Sequence, residues 1–280
     1  MAVTEPLVRT VTATPDPPPV GVPNPIHADD GAAGAGYEAA LVAGVRTYGW
    51  VAEATIETLG TGWLDDGWAD ITLRRPLYAG ETVTITVAPA TTSDVNAPAE
   101  GPGIWTVAAT AADRVVLDGT VGLGSAAWLA EITPPVPAEA AETNGPLPTY
   151  TIDSVPLHQP LTPLGAYLTT DAAHRLAHDD LGLATSHVPP NRIHPWFLAA
   201  RMAPLTRHNF TYGPTIHVRT QIQHLGPALA DQQVVVNAQI VDAYDRKGHW
   251  YQVLDGVICG SGNELARLRH HTIFRPRPIS

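Results

Sequence analysis

Two short runs of the chain hold the residue types that acid-base chemistry requires. Pro23-Asn24-Pro25-Ile26-His27-Ala28-Asp29 and Pro190-Asn191-Arg192-Ile193-His194 share the pattern Pro-Asn-x-Ile-His. An imidazole titrates near neutrality, so His27 can take or give a proton under ordinary conditions. Asp29, Asp30 and Glu38 lie near the first run, and Asp179 and Asp180 lie near the second. A plainer reading is that His27 caps the helix that follows it, with Asn24 and Asp29 as polar turn residues. His194 precedes Pro195-Trp196-Phe197, which suits a helix start, so a structural role is its better reading.

The surrounding elements repeat as well. Residues 28–59 are rich in Ala, Gly, Val and Leu, with apolar positions at Leu41, Val45, Tyr48, Ala52 and Ile56, which predicts a long helix. From Ala69 the pattern turns to alternation in ADITL, ETVTITV, IWTVAAT and RVVLDGTVGL, the mark of antiparallel strands between Pro and Gly turns. The later half gives a helix-like run over 196–205 and strands at TIHVRTQIQ, QVVVNAQIVDAY, HWYQVLDGVIC and ELARLRHHTIF. Residues 75–83 align with 226–234 at one constant offset. The Pro-, Ala- and Glu-rich segment 131–148 reads as a linker between halves at 1–130 and 149–280. Residues 15–25 hold six prolines and are expected to be neither helix nor central strand. Residues 150–180 carry a strand and a helix with no evident counterpart before His27, so one half is expected to be trimmed.

Composition narrows the function. A chain of 280 residues with 44% hydrophobic and 15% charged residues has enough apolar material for two packed cores. The net charge of −11 argues against a nucleic-acid partner. No apolar stretch is long enough for a membrane helix and no leader pattern opens the sequence, so a cytoplasmic protein is expected. Residues 1–140 hold 5 Arg against 17 Asp or Glu, and residues 141–280 hold 11 Arg or Lys against 10 acids. An anionic ligand is therefore expected to meet the C-terminal half first, where Arg267, Arg269, Arg275 and Arg277 are either solvated charges or phosphate contacts. Cys259, the one cysteine, reads as an inert strand thiol. His174 and His178 share a helix face and, with His187, Asp179 and Asp180, raise a metal site. The ordinary amphipathic helix is preferred, and neither metal nor other cofactor is expected. Trp63, Trp68 and Trp105 are expected in the core, and Trp196 and Trp250 are candidates for a pocket wall.

Asn24-Pro25-Ile26-His27-Ala28-Asp29, followed by Gly36-Tyr37 and an Ala- and Gly-rich helix, resembles the hydratase signature of MaoC-like dehydratases and R-specific enoyl-CoA hydratases. The likeness covers about residues 21–48 as a motif and the whole chain as architecture. It implies an α+β tandem (double) hot-dog, each half an antiparallel sheet wrapped around a long central helix. It also implies reversible addition of water to a 2-enoyl thioester carried by CoA or an acyl carrier. Carried over residue by residue, His27 matches the catalytic His and Asn24 the residue that orders the turn. Asp29 joins them as a catalytic candidate, with Gly36, Tyr37, Asn191 and His194 as substrate-binding candidates.

The family's first Asp falls on Val22 in one half and on Pro189 in the other, and neither side chain can hold water or accept a proton. Another carboxylate substitutes, the reaction differs and needs one base, or acyl groups are bound without turnover. The rivals are a hot-dog thioesterase using a helix carboxylate such as Glu38, and a catalytically silent double hot-dog that supports a partner. A fused pair suits a monomer or a homodimer of such pairs.

Overall fold

A computed structural model describes residues 5–17, 23–90 and 103–277. Among these residues ten strands form one antiparallel sheet. In chain order they are β1 (Leu7–Thr12), β2 (Gly67–Leu73), β3 (Thr82–Pro89), β4 (Ile104–Ala111), β5 (Arg114–Leu123), β6 (Leu164–Leu168), β7 (Ile216–His224), β8 (Gln232–Arg246), β9 (His249–Gly260) and β10 (Asn263–Arg275). Their spatial order is β1-β3-β4-β5-β2-β7-β10-β9-β8-β6. Read outward from the central β2–β7 pair, the two halves match strand for strand. The halves join through the register Ala69↔Ile222 and Ile71↔Thr220, so each covers what would otherwise be an open edge of the other. This is the tandem hot-dog arrangement, and the eight strands expected from alternation all form.

Two expectations need correction. The first half does possess a counterpart of β6: β1 pairs with β3 just as β6 pairs with β8. Its outward positions are exposed, so its alternation is weak and its sequence reads poorly as a strand. What has no counterpart among the described residues of the first half is the helix Thr170–Ala177 that follows β6.

The long helix expected over residues 28–59 is instead broken. A 3-10 turn at Pro25–His27 leads into α1 (Asp29–Gly34), and after a crossing segment comes α2 (Gly44–Leu59). Gly36 takes a φ of 87°, which ends the first piece at little cost for a glycine. The Asp29 carboxylate then accepts the Ala40 amide at 2.8 Å, and Val42 donates to the Leu77 carbonyl. The break carries residues 41–43 back beside His27.

The remaining helices are α3 (Trp63–Asp66), α4 (Thr170–Ala177), α5 (Pro195–Ala199) and α6 (Met202–Asn209), the last two replacing the single run expected over 196–205. α2 is buried from Arg46 to Ile56 and packs on β3 and α5. Gly49 permits the close approach, since a Cβ there would come within 2.7 Å of Leu181. Trp50 and Trp63 are fully buried beside Ile56 and Ile71 in the common core, each large apolar side chain contributing roughly 1.5–3 kcal/mol.

The segment read as a linker is pinned along the second half: Thr133 donates to Asp255, Ala138 to Asn237 and Ala141 to the Pro163 carbonyl. No helix among the described residues is long and apolar enough to cross a membrane.

Candidate active site

His27 closes the 3-10 turn and lines a cavity of about 200 Å³ at the junction of the halves. Its Nδ1 stands 2.8 Å from the Leu41 carbonyl and 3.0 Å from Asp16 Oδ2. Both neighbours only accept, so Nδ1 carries the proton and the neutral ring keeps its lone pair on Nε2. Asn24 Nδ2 lies 3.4 Å from Nε2.

Asp16 supplies the carboxylate that residue counting could not find. Val22, at the family's Asp position, lies outside the described residues, while Pro189 serves a turn, its carbonyl accepting from Arg192. Asp16 itself accepts the Ala43 amide at 3.0 Å and Arg46 Nη1 at 3.0 Å. Arg46 is buried and also donates to the Thr14, Pro15 and Asp180 carbonyls and to Thr14 Oγ1. Its guanidinium therefore ties the Pro-rich segment to α2 and to the second half at once.

Burial by itself raises the Asp16 pKa, but His27, the Ala43 amide and Arg46 outweigh it and the net shift is downward. Burial likewise pulls His27 down, and the bond to Asp16, its charge and the Leu41 carbonyl outweigh it, giving a net rise. The result is a carboxylate-backed imidazole that is a stronger base than free histidine.

Asn24 is held from the other half. Its Nδ2 donates to the Thr215 carbonyl at 2.8 Å and its Oδ1 accepts the Thr215 amide at 3.0 Å. Arg207 Nη2 lies 3.4 Å from the same Oδ1. The turn is thereby pinned across the junction, which fixes where His27 points.

α2 begins at the cavity wall. The first-turn amides of a helix have no partner within it, and Asp16 takes only that of Ala43. Gly44 and Val45, at the start of α2, line the cavity, and helix-start amides such as theirs can stabilise a developing oxyanion. Leu73, Leu77, Val116 and Ala203 supply apolar wall, and Arg74 and Arg75 reach its rim from the acidic first half rather than from the C-terminal arginines.

Of the residues expected in the site, His27, Asn24 and Tyr37 line the cavity. Asp29 does not; it is exposed and closes the loop to Ala40. Gly36 is an exposed turn glycine, and Glu38 is exposed and outside the cavity wall. Asp30 is likewise exposed. Asn191 lies on the surface, where its backbone carbonyl accepts the Ala230 amide.

His194 is wholly buried and away from the cavity: Nδ1 accepts the Trp196 amide at 3.2 Å and Nε2 meets Glu53 Oε1 at 3.2 Å. Burial holds its pKa below the ordinary value despite Glu53. Glu53 also accepts from Ser186 and the His187 amide. Burial opposes its ionisation, yet these donors bring its pKa down to about 2.

Elsewhere, His174 and His178 stack ring on ring at 4.2 Å. Cys259 sits half-buried on β9, its pKa raised by burial. Arg267 and Arg269 pair with Glu264 and Asp255, and Arg275 lies over Trp250 at 4.1 Å. Trp196 packs in the same core as Trp63, and Trp68 is buried in a smaller cluster with Ala126, Trp128 and Ile132.

Sequence reasoning missed Asp16, Arg46, His217 and His270. Asp16 sits eleven residues before His27, with no local signal in a Pro-rich tract. His217 and His270 line the cavity from β7 and β10, and the place of His217 between Ile216 and Val218 in a strand pattern was the one available signal.

No protein-family model and no curated protein sequence matches the chain. Solved structures do. A MaoC domain protein dehydratase from Chloroflexus aurantiacus superposes with a TM-score of 0.65 at 12% identity, over 100% of this chain and 97% of that one. A conserved Mycobacterium tuberculosis protein described as a double hot-dog gives 0.56 at 13% identity, over 97% and 96%. An oleoyl thioesterase from Lactobacillus plantarum gives 0.52 at 11% identity, over 99% of both chains. At such identities the likeness establishes fold and leaves the reaction to the chemistry of the cavity. Strand order and these superpositions agree that the chain is a double hot-dog protein.

Proposed function

We propose that the protein is an acyl-thioester hydratase or dehydratase with one working site, in which Asp16 and His27 form the acid-base pair. The observation that carries this reading is the 3.0 Å contact of Asp16 with Nδ1 of His27, a residue that lines the cavity, which leaves the Nε2 lone pair as the base. In the hydration direction Nε2 takes a proton from water and the oxygen adds to the β-carbon of a 2-enoyl thioester. The electron pair moves to the thioester oxygen, and the α-carbon then takes the proton back from His27. Both protons and the water oxygen are accounted for, so no cofactor is called on. The Gly44 and Val45 amides stabilise the charge on the thioester oxygen.

Arg75 makes no ion pair among the described residues and lies on the cavity rim, a natural contact for the phosphates of CoA or a carrier arm. Among the described residues no carboxylate lines the cavity, so the alternative in which a helix carboxylate such as Glu38 is set against the thioester with water as nucleophile finds less support there.

The test is incubation with crotonyl-CoA. Loss of the enoyl absorbance without release of free thiol supports the reading. Thiol release points instead to a thioesterase. If neither occurs while crotonyl-CoA binds equally to the parent and to His27→Ala, the protein only holds acyl groups.

A further inference from the structure

The second half sends its own polar groups into the cavity. His217 on β7 and His270 on β10 both line it, with ring centroids 4.4 Å apart. Thr220 pairs directly with His270 across the two strands, and its Oγ1 lies 2.6 Å from His217 Nε2 and 2.8 Å from His270 Nδ1. One hydroxyl has one proton, so it donates to one ring and accepts from the other.

The far nitrogen of His217 is different. Nδ1 is buried and has no hydrogen-bond partner among the described residues. A buried polar atom left in that state carries a desolvation cost that a bound group can relieve. Its position says which group. A Cβ built on Gly44 would come within 3.3 Å of Nδ1, so the nitrogen stands beside the first residue of α2, and Gly44 and Val45 line the same cavity.

We propose that His217 contacts substrate directly, its Nδ1–H donating to the thioester carbonyl oxygen as a third donor beside the α2 amides. The identification of that oxygen rests on the hydratase reading above. That donation requires the relay to run in one direction: His270 Nδ1–H donates to Thr220, the Thr220 hydroxyl donates to His217 Nε2, and the remaining proton sits on His217 Nδ1. Burial first, then the neighbouring His271, brings the His217 pKa down to about 3, against a contact with the Arg219 backbone. The ring is therefore neutral at physiological pH. Charge growing on the oxygen during water addition is met by a fixed donor, and no bond to His217 forms or breaks. Each half of the fused pair thus supplies part of one site, with acid-base chemistry from the first and carbonyl polarisation shared with the second.

The test pairs turnover with a spectroscopic readout that needs none. Butyryl-CoA labelled with carbon-13 at the carbonyl is bound to the parent, and its carbonyl stretch is expected below that of the free thioester. In His217→Leu the band is expected to return most of the way to the free value, and kcat for crotonyl-CoA to fall about 100-fold. His217→Asn places an amide near the lost Nδ1 and is expected to recover at least about tenfold of that loss. Thr220→Val, which removes the tautomer-setting hydroxyl at nearly constant shape, provides the same comparison if the leucine variant does not fold.

A folded His217→Leu with an unmoved band and an unchanged rate overturns the proposal. If the parent shifts the butyryl-CoA band and His217→Leu releases it, yet the parent never hydrates crotonyl-CoA, the hydratase reading fails and the contact stands. If it hydrates crotonyl-CoA and the variant's band does not move, the contact fails and the reading stands.

Discussion

The two Asn-x-Ile-His turns carry nearly the same residues and put them to opposite uses. His27 is partly exposed, with its side chain 29% accessible, whereas that of His194 is 0% accessible. Their tautomers are opposite too. Acceptors at Nδ1 leave His27 with a lone pair on Nε2, while the Trp196 amide at His194 Nδ1 forces the proton onto Nε2, which donates to Glu53. One turn presents a base to a cavity, and the other caps a helix and buries a charge-assisted hydrogen bond. The difference lies in which neighbour reaches the ring, since Asp16 arrives from outside its turn and Glu53 from the other half's helix. A duplicated motif thus keeps its backbone role while its chemistry follows contacts made far away in sequence.

The comparison breaks most readily at the histidines. His27→Ala is expected to lower kcat for crotonyl-CoA hydration about 1,000-fold with little change in melting temperature. His194→Ala, by contrast, leaves Glu53 buried without its partner and is expected to cost about 3 kcal/mol of stability, read by denaturant unfolding. A large rate loss in a stable His194→Ala protein would mean that the second turn also works in catalysis.

Asp16→Asn comes next, with an expected rate loss of about 100-fold. Because Asp16 raises the His27 pKa and the reaction needs the neutral ring, the rate should rise with pH through a value above 6.5 in the parent. In Asp16→Asn that limb should move to lower pH, measured as kcat/KM against pH.

Glu53 gives the stability counterpart. Its folded pKa is depressed from 4.5 to about 2, so its contribution is complete above pH 4.5 and is lost as pH falls toward 2. At about 1.4 kcal/mol per pKa unit this contribution is on the order of 3 kcal/mol. It should be absent from the unfolding free energy of Glu53→Gln across that same range. The smallest effects separate the asparagines: Asn24→Ala should lose about tenfold in rate as the turn loosens, and Asn191→Ala should change rate and stability by less than about 0.5 kcal/mol.

Much of the fold was legible because burial writes itself into local pattern. Alternation from Ala69 onward marks strands whose inner faces are fully buried, as at Val83, Ile85 and Val87 of β3. β1 was harder to read because an edge strand with exposed outward positions has little reason to alternate. The continuous helix over 28–59 was wrong for a different reason. Small residues fit a helix and a turn equally well, and the decision fell to Asp29 and Leu77, whose contacts are tertiary. The site was legible only in part. His27 and Asn24 stand in a local motif, whereas Asp16, Arg46 and His217 gain their roles from partners across loops or across the junction of the halves. Asp29 matched by spacing and proved to hold a loop.

Nitrogen-15 shifts of the two imidazoles, followed through neutral pH in the parent and in Asp16→Asn, test the central contrast most directly. The account predicts His27 protonated at Nδ1 when neutral, with a pKa above 6.5 that falls in Asp16→Asn, beside a His194 protonated at Nε2 in both proteins. A His27 whose tautomer and pKa are the same with and without the Asp16 carboxylate would contradict it.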